Sequence, residues 1–148
     1  GGAAGPNAFA LPSGIVVMTD ELVELAEHDD ELRAVLAHEA GHLVHRHSMR
    51  MLVQNSAVAL LMLGLLGDVS TASSLVAGVP TVLLQAGYSR DLGREADDYA
   101  RDWMKSVGVD PVRLGDLLER LTAAHGDEGW SYVSSHPSLE ERRANAAR

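Results

Sequence analysis

The sequence predicts an α+β fold that is mostly α, a helical domain in which a small β-hairpin or sheet lies beside one chemically marked helix. Three observations carry that expectation. Apolar residues recur at helical spacing through most of the 148 residues. Only the stretch before Thr19 reads as paired strands. A His-Glu-x-x-His box, His38-Glu39-Ala40-Gly41-His42, lies inside one of the helical patterns. The length is near the mode for a single domain, so residues 1–148 are expected to form one.

The elements follow in order. Gly1-Gly2-Ala3-Ala4-Gly5-Pro6 resembles a cut edge or linker more than a signal peptide, because no charged segment precedes an apolar one. Ala8 to Leu11, the turn Pro12-Ser13-Gly14 and Ile15 to Met18 form the hairpin. Thr19 caps a short helix through Leu22, Leu25 and Ala26. Asp29 or Asp30 then caps the helix carrying the box, with Glu31 in its first turn and Leu32, Val35, Leu36, Leu43 and Val44 as its apolar stripe. Ala57–Leu66 and Leu75–Ala86 are apolar but well short of the roughly 20 residues that span a bilayer, and Gly78-Val79-Pro80 interrupts the second. They are expected to be buried helices, with peripheral contact to a membrane surface as the alternative.

Past the polar loop from Asp68 to Ser74, a helix is expected from about Asp91 to Lys105, stopped by Gly108 in a left-handed conformation. Asp110-Pro111 opens another through Leu114, Leu117, Leu118 and Leu121, with the proline tolerated in the first turn. His125 to Ser135 is polar and irregular. Pro137-Ser138 starts a last, charged helix.

A net charge of −9 with no basic face argues against a nucleic-acid partner. The absence of cysteine rules out disulfides and thiolate metal sites. The chemistry therefore rests on histidine and carboxylate. Four residues are a little over one helical turn, so His38 and His42 project from one face and can grip a zinc ion. Glu39 lies about 100° round the helix, placed to take a proton from water. Zinc lowers the pKa of water and polarises the carbonyl under attack, so the implied reaction is peptide-bond hydrolysis. The longer metzincin pattern would need glycine at 45 and histidine at 48; His45 and Ser48 stand there instead. His47 points to another side and is expected to hydrogen-bond within the fold, while His28 and His125 are expected to be exposed.

Asn7-Ala8-Phe9-Ala10-Leu11-Pro12, the box followed by Arg46-His47-Ser48, Tyr88-Ser89-Arg90 running into Glu95-Ala96-Asp97, and Ser135-His136-Pro137 occur in one order at plausible spacing. Together they resemble the HtpX-like and C-a-a-X prenyl protease-like zinc metallopeptidases, a gluzincin family, and are most similar to its soluble periplasmic members of the BepA type. The resemblance implies a polypeptide substrate lying extended along the hairpin edge, with Asn7, Ala8, Phe9 and Ala10 as candidate contacts. It also implies Asp97 as the carboxylate that steadies a zinc-bound histidine.

The same resemblance places the third zinc ligand, a glutamate, one helical turn before Asp97. That position is Gly93. Glu95 is a weak substitute, since two residues rotate it about 200° from position 93. His136 is the stronger one, because in BepA-like members a late His-Pro loop can bring a histidine to the zinc. Tyr88, Tyr132 and Arg90 are candidates to order the site. The implied function is a zinc-dependent endopeptidase, with Glu39 as base, acting on unfolded or misassembled envelope proteins of the bacterial periplasm or cell envelope. The alternative is an inactive, peptidase-derived module that holds extended polypeptide without cutting it.

Overall fold

The computed structural model describes residues 5–66 and 79–125. Their order is β1 (Ala8–Ala10), β2 (Val16–Met18), α1 (Asp20–Leu25), α2 (Asp29–Val44), α3 (His47–Leu66), α4 (Val79–Ser106) and α5 (Val112–His125). The fold is mostly helical, with one small antiparallel sheet, as the sequence predicts. The expected irregular stretch after His125 and the last helix from Pro137 lie outside the described residues.

β1 and β2 pair with Ala8 opposite Met18, Phe9 opposite Val17 and Ala10 opposite Val16. The chain reverses through Pro12-Ser13-Gly14, where Gly14 takes φ 89°, a conformation that costs glycine little. Thr19 ties the hairpin to α1. Its Oγ1 accepts from the Asn7 amide at 2.7 Å and from the Leu22 amide at 3.4 Å, capping the helix as expected.

α2 is the hub, packed on α4, α5, the hairpin and the start of α3. Its cap is His28, one residue before the aspartates the sequence favours. The reason is Glu31, whose carboxylate turns back to accept from the amides of Glu27 at 2.9 Å and His28 at 3.4 Å. Its buried face is built from Ala34, Val35, Ala37, His38, Glu39 and Gly41, whereas Leu36 and Val44 from the expected stripe are exposed. Small residues won that face because α4 comes close to it. The apolar core lies to one side, where Ala8, Leu22, Ala34 and Val35 meet Met104, Val109, Leu114, Leu117, Leu118 and Leu121.

Glu31 is fully buried and pairs with Arg120 of α5. Burial alone would raise its pKa, but the Arg120 guanidinium and the two amides outweigh burial and hold it below the usual carboxylate value. Arg120→Ala strands that charge and is expected to destabilise the fold by about 2–3 kcal/mol, measured by urea unfolding at neutral pH. A depressed folded-state pKa gives stability present above the unfolded value and lost as pH falls through the folded one. The difference between wild type and Arg120→Ala should therefore be largest at neutral pH and shrink in acid as Glu31 takes up a proton.

Two elements differ from expectation. α4 is one continuous helix from Val79, and Pro80 sits in its first turn, where a missing N–H costs nothing. Val79-Pro80, where the sequence reads an interruption, thus opens the helix, well before Asp91. α3 begins at His47, and within the Ala57–Leu66 stretch expected to be buried the described side chains Leu60 and Leu61 are exposed, as are Leu52 and Val53 before it. Apolar composition does not by itself supply a partner to pack against. Among the described residues, no helix is long and apolar enough to cross a membrane.

At the other end of α4 the helix stops where the sequence expects. Gly108 takes φ 76° and the Val109 amide bonds back to the Met104 carbonyl at 2.9 Å. Asp110 then caps α5 by accepting from the Val112 amide at 3.0 Å.

Candidate metal centre

The centre is made by the close approach of α2 and α4. A Cβ added at Gly41 would lie 2.9 Å from the Ala96 Cα and 3.1 Å from its carbonyl oxygen, so only glycine lets the two backbones come this near. Gly41→Ala is expected to push the helices apart, cost about 1–3 kcal/mol in a thermal melt and loosen metal binding with it.

That approach delivers Asp97 to His38. Both are buried, and the Asp97 Oδ1 lies 2.8 Å from the His38 Nδ1. A carboxylate at that distance favours a proton on the His38 Nδ1, which would leave Nε2 unprotonated.

His42 is held from its own outer side by a route the sequence reading did not foresee. α2 ends at Val44 with His45 as its C-cap, and Arg46 takes φ 52°, in the left-handed region, before α3 begins. In an unbroken helix, a five-residue step would carry His47 about 140° away from His42. The break turns it back instead, so that its Nδ1 lies 2.8 Å from the His42 Nδ1. The expectation that His47 hydrogen-bonds within the fold was legible; its partner was not.

His47 Nε2 lies 3.2 Å from the Glu95 Oε2, and Arg50 grips the same carboxylate at 2.6 Å and 3.3 Å. The Arg50 hydrogen bonds hold Glu95 below the usual carboxylate pKa. Burial pushes the His47 pKa down, and the opposing pull of Glu95 only partly offsets it, so His47 is neutral near pH 7.

The tautomers follow from this chain of bonds. With the His47 proton on the Nε2 that faces Glu95, its Nδ1 would accept from the His42 Nδ1 and leave the His42 Nε2 unprotonated. The two Nε2 atoms are 3.1 Å apart. Adjacent ligands of a tetrahedral ion with bonds of about 2.0 Å stand roughly 3.3 Å apart. That spacing fits a zinc ion when both nitrogens are unprotonated, and is a hydrogen bond between the rings when one of them carries its proton there.

Glu39 is buried beside them on α2. Gly93 is buried in α4, one turn before Asp97. Glu95, weighed above as a substitute ligand, has its carboxylate engaged with His47 and Arg50, and forms with His45 and His47 a separate group of donors within 4.8 Å of one another. His136 and Tyr132 lie outside the described residues, as does the Tyr88 side chain. Arg90 is exposed.

On the hairpin, the Asn7 carbonyl accepts from Thr19 and the Leu11 amide donates to Ile15. The antiparallel alternation therefore turns the backbone groups of Ala8 and Ala10 to the edge away from β2. Phe9 is exposed on that strand, and Ala8 is buried against α2.

Comparison with known proteins matches residues 3–148 to the model of Peptidase family M48. The chain is 32% identical over 139 residues to the mitochondrial metalloendopeptidase OMA1 of Schizosaccharomyces pombe, covering 93% of this chain and 41% of that protein. It is 30% identical over 140 residues to the metalloprotease YcaL of Escherichia coli, covering 92% and 55%. With the E. coli beta-barrel assembly-enhancing protease it shares 29% over 152 residues, covering 95% and 31%. The chain thus spans about half or less of the length of these relatives. Among solved structures, Ste24p of S. mikatae shares the fold with a TM-score of 0.71 at 24% identity, covering 98% of this chain and 42% of that one.

Proposed function

The chain belongs to peptidase family M48, and from that membership and the paired imidazoles we propose that it is a zinc-dependent endopeptidase of unfolded or misassembled envelope proteins. The observation that supports this most directly is the 3.1 Å separation of the His38 and His42 Nε2 atoms, with Asp97 and His47 fixing both rings from behind. His38 and His42 would hold the zinc, with His136 as the proposed further ligand. Bound there, zinc supplies an acidified water and a polarised carbonyl. Glu39 takes the proton from the attacking water and returns it to the leaving amine. Asp97 holds the His38 proton on Nδ1 throughout, so that ring keeps its ligand nitrogen forward.

An extended substrate adds to the outer edge of β1, where Ala8 and Ala10 offer main-chain groups and Asn7 and Phe9 flank them. The envelope assignment draws on the relatives named for β-barrel assembly. Gly93 favours a second reading, a module that binds extended polypeptide and does not cut it, because it removes an anionic ligand.

Zinc per chain after purification without added metal, together with casein cleavage, tests the proposal. Near-stoichiometric zinc that falls in His38→Ala, with chelator-sensitive cleavage, is the expected result. Cleavage that survives complete metal removal would overturn it. Zinc without cleavage would favour the binding module.

A further inference from the structure

A second set of donors adjoins the histidine pair and shares His47 with the bonds behind His42. His45 Nδ1, His47 Nε2 and the Glu95 carboxylate lie within 4.8 Å of one another, with the Glu95 Oε2 3.2 Å from His47 and 4.0 Å from His45. The two imidazoles are stacked, 5.5 Å between centroids and 15° between planes, so both present their edges to the same carboxylate. His47 is buried and fixed, whereas the side chains of His45 and Glu95 are 39% and 41% exposed. The cluster therefore has a rigid back and a front open to solvent. Two imidazoles and a carboxylate are a zinc donor set, and contraction by about 1.5 Å, within reach of two exposed side chains, brings them to tetrahedral spacing.

We propose that His45, His47 and Glu95 form a second, weaker zinc site, and that metal there opposes metal on His38 and His42. The weakness comes from Arg50, which already holds the same carboxylate. The opposition comes from the bond between His42 and His47. Metal on the inner pair needs the His42 Nε2 bare, so the proton sits on Nδ1 and is donated to the His47 Nδ1. Metal on the His47 Nε2 moves the His47 proton to Nδ1, where it faces the His42 proton across 2.8 Å. One of the two rings must then turn or give up its metal. Such coupling is reciprocal, and a factor of about 10 lies within its usual range. The coupling rests on the inner site proposed above; the outer site does not.

The test is calorimetric titration of the metal-stripped full chain with Zn²⁺ alone, with circular dichroism to confirm that each variant is folded. Wild type should show one tight and one weaker site. His45→Ala should lose only the weaker one, and Arg50→Gln should tighten it by removing the competing cation. His42→Ala should lose the tight site and strengthen the outer one about tenfold. A titration unchanged by both His45→Ala and Glu95→Gln overturns the outer site. An outer site present but indifferent to His42→Ala overturns the opposition. A chain whose single zinc site is lost in His45→Ala and untouched by His42→Ala would sustain the outer site while overturning the inner one.

Discussion

Gly93→Glu is expected to tighten zinc binding by at least about 100-fold, more than the loss or gain of an outer hydrogen-bond partner usually moves a metal site, because it returns a charged ligand. The pairing of the helices shows why that position has the reach. Asp97 meets His38 and Ala96 meets Gly41, so α2 advances toward His42 as α4 is followed back toward position 93. One turn back along α4 from Asp97 is Gly93, on the same helical face and buried. A glutamate there is one methylene longer than Asp97. Glutamate is also a better helix former than glycine, by about 1 kcal/mol, so thermal stability and affinity should rise together. Competition with a chromophoric chelator measures the affinity, and a melt measures the stability. Equal affinity in both chains would mean that another residue already completes the site.

The same few bonds explain what was legible in the sequence and what was not. His38 and His42 were legible because helical geometry alone puts residues four apart on one face. Asp97 followed from the resemblance, and its place at His38 depends on a glycine, Gly41, whose need is visible only when α4 is laid against it. The His42 to His47 bond was illegible because it crosses a helix break at Arg46, a residue with no propensity for the left-handed conformation it adopts. Local patterns do not announce a turn that tertiary contacts impose. The apolar stripe of α2 misled for a related reason: Leu36 and Val44 keep the period, yet the face that meets α4 is chosen by size, and the alanines and Gly41 fit it.

Each imidazole of the inner pair is thus backed by a carboxylate, His38 directly by Asp97 and His42 through His47 by Glu95. The two carboxylates are two residues apart on α4 and reach α2 and α3 from one helix. Asp97 thus places negative charge behind His38, whereas the charge of Glu95 is shared with Arg50. This backing also explains how a chain with Gly93 keeps a metal-shaped site. The orientation of the two histidines depends on Asp97 and His47 and not on position 93.

Glu39→Gln, placed in the Gly93→Glu background, is expected to lower kcat for an unfolded protein substrate by about 10²–10⁴, the usual contribution of a positioned general base. Glutamine keeps the shape of the side chain and cannot accept the proton. Glu39 is buried on α2 next to His38 in the sequence. Zinc occupancy and the KM for substrate should stay close to those of Gly93→Glu alone, because neither the imidazoles nor the edge of β1 is touched. Single-turnover cleavage, metal analysis and substrate binding by fluorescence anisotropy separate these quantities. A matching fall in zinc occupancy would make Glu39 a structural support of the site. Unchanged kcat would move the proton transfer to another residue. Retained polypeptide binding with cleavage lost would show that holding an extended chain and cutting it are separable on this scaffold, as the non-cleaving reading of the Gly93 protein requires.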